Sequence, residues 1–207
     1  MPNTDPVNDS PALTRLIIDQ AQRANLANVF PIGAITKGSQ GTELAEMGEM
    51  KRAGVVAVSD DGRPVPSAGM MRRALEYARG FNLTIVDHCE DRSLVAGGVM
   101  HEGEYSLRLG LKGMPALAEE IDALRDCALT ELTASPIHLA HVSTLGALRA
   151  VRRAGGGTAR HVRSNAAPLD FDRRRGRGLR HKHQNDSAAA QSGACRRDSR
   201  SHARQNH

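Results

Sequence analysis

The sequence predicts an α/β protein: part of a (β/α)8 barrel, about four consecutive β/α units, followed by a disordered basic tail. Three observations carry this reading. Apolar runs from Gly54 to Asp61, Leu83 to His88 and Pro136 to His141 each close on a polar residue just before a loop. Each run is followed by a segment of helical periodicity, the rhythm of parallel strands joined by crossover helices. Asp61, His88 and His141 would then stand at the C-terminal ends of strands, where such a barrel gathers its ligand and catalytic groups. Two imidazoles and a carboxylate brought together from three strands suit zinc. A strand-end Asp or His can also simply cap the next helix, so no one of the three carries the argument alone.

Taken in order, residues 1–10 read as loop by composition, and Ser10 followed by Pro11 opens a helix running to about Asn25, with Ile17, Ile18 and Ala21 as its apolar face. A strand is expected at about Asn28–Ile35, then a helix capped by Thr42 that carries Leu44, Met47 and Met50. Strand Val55–Ser59 is broken sharply by Asp60-Asp61-Gly62-Arg63-Pro64. Helix Ala68–Arg79 leads to strand Leu83–His88, and Cys89–Gly113, with its glycines, His101 and Tyr105, reads as an elaborated loop over the strand ends. A long helix from Pro115 to about Leu132 feeds strand Ile137–His141, and Ser143 caps a last helix, Leu145–Ala154. Four strands and five helices follow, half of what a closed barrel needs.

Charge divides the chain in two. Residues 155–207 hold 12 of the 28 basic and 4 of the 23 acidic residues, which leaves 16 against 19 in residues 1–154. The front is therefore weakly acidic and the tail strongly basic. Only Val162, Leu169, Phe171 and Leu179 are large and apolar in the tail, too few to offset the entropy of ordering it. The domain boundary accordingly falls between 1–154 and 155–207. An Arg-rich arm invites a nucleic-acid reading, but Phe171 is its only ring of the kind on which bases stack, so nucleic acid is not an expected partner. Cys89, Cys127 and Cys195 show no pairing pattern, and no stretch has membrane-spanning length, which points to a reducing, cytoplasmic setting and no membrane.

At these motifs the sequence resembles the dihydroorotases, cyclic amidohydrolases of pyrimidine synthesis, in their bacterial long-chain form. The segments that carry the resemblance are Met1-Pro-Asn-Thr-Asp-Pro, Gly33-Ala-Ile-Thr-Lys-Gly, Ser59-Asp-Asp-Gly, Asp87-His-Cys-Glu-Asp, Gly110-Leu-Lys-Gly-Met-Pro and His141-Val-Ser-Thr, all within residues 1–154. The resemblance implies that Asp61 bridges two zinc ions, that His88 and His141 hold the second of them, and that Asn3 binds the substrate carboxylate. The implied reaction interconverts dihydroorotate and N-carbamoyl-aspartate through a water activated by two metals. Aspartate transcarbamoylase is the protein partner it suggests. Lys37 is expected to face solvent rather than bridge metals, His101 to be a surface residue, and Asp60 to serve the turn. His138, three residues before His141, should lie on the opposite face of its strand.

The sequence also departs from the family pattern. The first-strand His-x-His with its neighbouring Arg, the last-strand Asp, and a Thr-Pro-His-His segment soon after His141 have no counterpart, so the chain reads as an inactive fragment. Codons compatible with Val162 to Leu169, read one base later, can spell Cys-Glu-Val-Thr-Pro-His-His-Leu. Those for Lys182 to Gln191 can spell Asn-Thr-Lys-Met-Thr-Pro-Pro-Leu-Arg-Ser. A change of frame near Arg153–Gly155 is therefore expected, which also makes the His181-Lys-His183 pair accidental. Two other readings stand beside the fragment. A non-catalytic partner of aspartate transcarbamoylase should have eroded metal ligands, whereas all three are intact. A hydantoin- or allantoin-directed relative fits Met1-Pro-Asn-Thr and Asp87-His-Cys-Glu-Asp less well.

Overall fold

The computed structural model describes residues 1–155 and the backbone of 162–166. Five strands form one parallel sheet: β1 (Ile32–Gly33), β2 (Ala57–Val58), β3 (Thr84–Asp87), β6 (Ile137–Val142) and β7 (Val162–Ala166), adjacent in that order. Two more, β4 (Met100–His101) and β5 (Gly113–Met114), pair separately as a small parallel ribbon. Helix α1 (Pro11–Ala24) precedes β1, the crossovers carry α2 (Met47–Ala53), α3 (Ala68–Gly80), α6 (Leu117–Thr133) and α7 (Leu145–Gly155), and α4 (Arg92–Val95) and α5 (Glu104–Leu109) flank the ribbon. Repeated β/α crossovers on a parallel sheet match the expected architecture.

The core lies between the sheet and α3, α6 and α7. Val58, Ile85, Ile137 and Leu139 point from the strands into Met71, Leu75, Ala123, Cys127, Ala147 and Ala150. In α3 this follows from local chemistry: Ser67 accepts from the Met70 backbone N–H as N-cap, and Met70, Met71, Ala74, Leu75 and Ala78 recur on one buried stripe. Truncating fully buried Leu75 to Ala should cost about 2–5 kcal/mol. The buried stripe of α6 differs, because Asp122, Asp126, Thr130 and Thr133 interrupt its alanines and Cys127. Those carboxylates reappear beneath the functional site.

Several boundaries differ from the sequence expectation. Residues 36–45 fold back on β1, with a Thr36–Leu44 bridge and the Ala45 N–H donating to the Ile35 carbonyl, so α2 starts only at Met47 and Thr42 caps nothing. The apolar side of α1 is only partly buried. Its one fully buried residue is Thr14, whose hydroxyl donates to Asn8 at 2.8 Å. Residues 89–113, expected as loop, contain α4, α5 and the β4–β5 ribbon. Strand β7 falls inside the segment expected to be unstructured, as a fifth parallel strand beside β6. Residues 156–161 and 167–207, including His181, His183 and most of the basic arm, lie outside the described residues. No described helix is long and apolar enough to cross a membrane.

Candidate metal centre

Strand register explains why Asp61 and His88 meet. Val58 pairs with Ile85, and three residues farther along both strands stand Asp61 and His88. Side chains alternate faces along a strand. Ile85, Asp87 and Cys89 are therefore buried toward the helices, while Val86 and His88 look out on the other side. His141 arrives by an irregularity. Burial in β6 alternates through Ile137 and Leu139, but Val142 rather than His141 is the next buried residue. The register to β7 shifts between Leu139 and Val142, and His141 has φ +40°, a left-handed value rare for a residue with a side chain. This β-bulge turns the imidazole out of the core. It also corrects the expectation that His138 and His141 lie on opposite faces, since both now lie on the less buried side. That parity argument holds only for a regular strand.

The three ligand atoms form a small triangle. Asp61 Oδ1 stands 3.6 Å from His88 Nδ1 and 3.7 Å from His141 Nε2, and the two ring nitrogens are 3.0 Å apart. Zinc bonds of about 2.0–2.2 Å in tetrahedral geometry require ligand separations of roughly 3.3 Å, within the spread of these edges. The donor set and its geometry therefore fit zinc. The rings meet edge to face at 72°. Exposure rises from His88 (12%) through Asp61 (25%) to His141 (48%), so the group opens to solvent on one side. His141 and then His88 hold the Asp61 carboxyl well below the usual carboxylate range. Burial opposes charge on His88, but Asp61 and Glu90 outweigh it and push its pKa up to about 9.

Two partners of this group were not foreseen from sequence. Glu90 Oε2 stands 3.4 Å from His88 Nε2 and so fixes which ring nitrogen faces Asp61. Arg125 lies beneath, its Nη1 2.9 Å from Asp122, its Nε 2.8 Å from Asp126 and its Nη2 3.8 Å from Asp87, the residue before His88. Burial, with Asp126 beside it, drives the Asp87 carboxyl well above its ordinary range, and burial pushes Asp122 up to about 6 despite Arg125. Asp87, Cys89 and Asp126 also lie close enough to hold an ion. The Arg125 guanidinium already neutralises that set, which reads as structural. The sequence signal for it was present in the placement of Asp122, Arg125 and Asp126 three to four residues apart on the buried side of a helix.

Other candidate residues are separate from the triangle. Asn3 is exposed on an N-terminal loop that Asn8 ties to β1 through the Ile32 carbonyl at 3.0 Å. Asp60 does more than serve the turn: it is buried and accepts from the Ile35 and Thr36 backbone and the Thr36 hydroxyl, joining the ends of β1 and β2. Lys37 is half exposed and pairs with Glu43 at 2.5 Å, and His101 is exposed.

Comparison with known proteins supplies the family. A family model described as dihydro-orotase-like matches residues 1–146. The chain is 60% identical over 154 residues to a dihydroorotase of Anaeromyxobacter dehalogenans (strain 2CP-C) and 58% identical to one of Geobacter sulfurreducens, covering 74% of this chain in each case. It spans 36% of the length of these relatives. Among solved structures, the L-hydantoinase (dihydropyrimidinase) of Arthrobacter aurescens superposes with a TM-score of 0.64 at 17% identity, covering 80% of this chain and 38% of that one, which speaks for the fold alone. With the family model matched across the strands that carry Asp61, His88 and His141, the chain belongs to the dihydro-orotase-like family.

Proposed function

We propose that this chain supplies part of a zinc-dependent cyclic amidohydrolase centre that interconverts dihydroorotate and N-carbamoyl-aspartate. The observation that carries the reading is the Asp61–His88–His141 triangle, with its edges of 3.0–3.7 Å at the C-terminal ends of β2, β3 and β6. Asp61, kept ionised by both imidazoles, would serve as the shared carboxylate ligand, and His88 Nδ1 and His141 Nε2 would hold zinc beside it. When bound, zinc supplies Lewis acidity that polarises the ring amide and makes water a usable nucleophile near neutral pH. His88 must lose its proton to bind, and Glu90 at its far nitrogen keeps Nδ1 turned inward. Asn3, from the loop anchored to β1, donates its amide hydrogens to the substrate carboxylate. Intact, convergent ligands favour this reading over a non-catalytic partner of aspartate transcarbamoylase, which remains the protein partner of choice for the whole enzyme in the cytoplasm.

A chimera tests the proposal. Residues 1–154 are exchanged for the matching third of the Geobacter sulfurreducens dihydroorotase, with which they share 58% identity. The chimera should hydrolyse dihydroorotate in preference to hydantoin, and His88→Ala should abolish turnover. The 207-residue chain alone should show no hydrolysis above its own His88→Ala control. A chimera that folds, binds zinc and prefers hydantoin would overturn the substrate assignment.

A further inference from the structure

We infer that the first turns of α6 form a clamp that positions both histidines, with Glu119 as its principal positioning residue. Val142 still pairs with Ala166, but beyond Asp87 and Val142 the chain leaves the described sheet, so the stretches from Cys89 and from Ser143 onward are not held by its described strand pairings. Both segments are instead tied to α6. On the His141 side, the Glu119 carboxylate accepts from four donors: the Ser143 N–H (3.0 and 3.1 Å) and hydroxyl (2.6 Å), and the Thr144 N–H (2.8 Å) and hydroxyl (2.9 Å). Its neighbour Glu120 accepts from the Gly146 N–H at 3.1 Å. On the His88 side, Asp122 accepts from the Glu90 N–H at 3.2 Å, and the Ala118 carbonyl accepts from the Asp91 N–H at 2.9 Å.

Residues 118–122 of one helix thus grip the chain two residues beyond each imidazole, and the 3.0 Å approach of the two rings is set through them. Asp61 is positioned independently, by the register of β2 on β3 and the turn at Gly62. The Glu119 contacts matter most because His141 is held at φ +40°. A left-handed backbone at a residue with a side chain persists only where its surroundings over-determine it. Charge-assisted bonds to two successive backbone N–H groups provide that determination. Freed from Glu119, His141 relaxes toward ordinary strand angles and its ring leaves His88. A bare capping role for Glu119 at the start of α7 predicts instead a less stable helix with both rings unmoved.

The zinc arm of the test rests on the proposed metal centre, and the imidazole arm does not. The full chain is compared with Glu119→Ala, Glu119→Gln and, as a control on the same helix, exposed Glu131→Ala. Long-range ¹H–¹⁵N spectra of the metal-free proteins read the ring nitrogens of His88 and His141, and chelator competition reads zinc affinity. Glu119→Ala should shift the His141 ring signals and weaken zinc binding about 10–100-fold, as loss of an outer-shell partner does. Glu119→Gln, which keeps one acceptor oxygen, should fall between, and Glu131→Ala should match wild type. Wild-type ring signals and zinc affinity in a folded Glu119→Ala protein would overturn the clamp. If the wild-type chain takes up no zinc, the metal reading fails and the ring signals alone decide the clamp. Should Glu119→Ala lose its far-UV circular dichroism, Glu119→Gln decides in its place; wild-type His141 ring signals there would overturn the proposal.

Discussion

Replacing Arg125 by Met should be among the most damaging single changes in this chain, and its cost should depend on pH. The guanidinium is largely buried, with Asp122 and Asp126 at 2.9 and 2.8 Å, Asp87 at 3.8 Å and the Val65 carbonyl at 3.0 Å from Nη1. At an effective dielectric of about 20, each close pair is worth about 6 kcal/mol before desolvation. Most of that offsets the removal of the charges from water, so the net contribution is modest, but removing one partner strands the others. Such deletions cost about 3–5 kcal/mol, a large fraction of the 5–15 kcal/mol typical of a whole domain. Protonation offers the stranded carboxylates an escape. Burial has already raised the pKa of Asp122 to about 6, and it drives that of Asp87 well above the ordinary carboxylate range. A raised carboxylate pKa means the folded state binds more protons than the unfolded one, so this contribution to stability is largest below about pH 4 and is lost as pH climbs through about 6. Arg125→Met should steepen that loss, with urea unfolding at pH 5 and pH 8 showing the larger deficit at pH 8. Arg125→Lys, a point charge without the planar fork, should fall between. A deficit below about 1 kcal/mol, or one equal at both pH values, would refute the reasoning.

Zinc bound as proposed would compete with the proton on His88, whose pKa Asp61 and Glu90 push up to about 9; apparent zinc affinity should then rise about tenfold per pH unit from 7 toward 9 and level, and a flat profile would count against the Asp61–Glu90 account. The same shift has the opposite sign for the metal-free fold: its stabilisation is complete below about pH 6.5 and is lost as pH rises through about 9, which thermal unfolding across that range should show. Thr36→Val removes the hydroxyl that donates to buried Asp60 and should cost about 1–3 kcal/mol, read by urea unfolding; a neutral result would mean that the backbone donors suffice. We further propose that the coding DNA changes frame near codon 155, so that a one-base shift restores codons for Thr-Pro-His-His; resequencing checks this, and unrelated codons in the shifted frame would sink it.

Much of the arrangement was legible because its elements obey simple periods. The alternation of apolar runs with helical stripes announced β1, β2, β3 and β6, and the polar closure of the last three runs singled out Asp61, His88 and His141, which the fold brings together. What stayed hidden depended on contacts between distant segments. Thr42 resembled a helix cap, but residues 36–45 pair with one another, and no local signal reveals such a fold-back. Glu119 and Glu120 looked like ordinary first-turn acids of α6, favourable to its dipole. Their acceptors are used instead by a loop some 24 residues later. The further role of Asp60 stayed hidden for the same reason, since its donors Ile35 and Thr36 lie just past β1, some 24 residues away. The strand β7 was missed because Val162-Arg-Ser-Asn-Ala is too polar to read as an apolar run, and its backbone pairing with β6 has no local sequence signal.

In a regular strand, how far a side chain is carried and which way it points are locked together: each residue adds about 3.3 Å and reverses the face. The bulge at His141 breaks that lock. Asp87 pairs with Leu139, so His88 lies level with Ala140, and a regular strand could oppose it only with that alanine. By inserting one extra residue, β6 delivers an imidazole one step farther out while keeping it on the side where His88 and Asp61 wait. The two rings therefore meet staggered, edge to face at 72°, instead of stacking side by side on adjacent strands. Offset in this way, they aim one nitrogen each at a common point, and the ends of the three middle strands acquire depth.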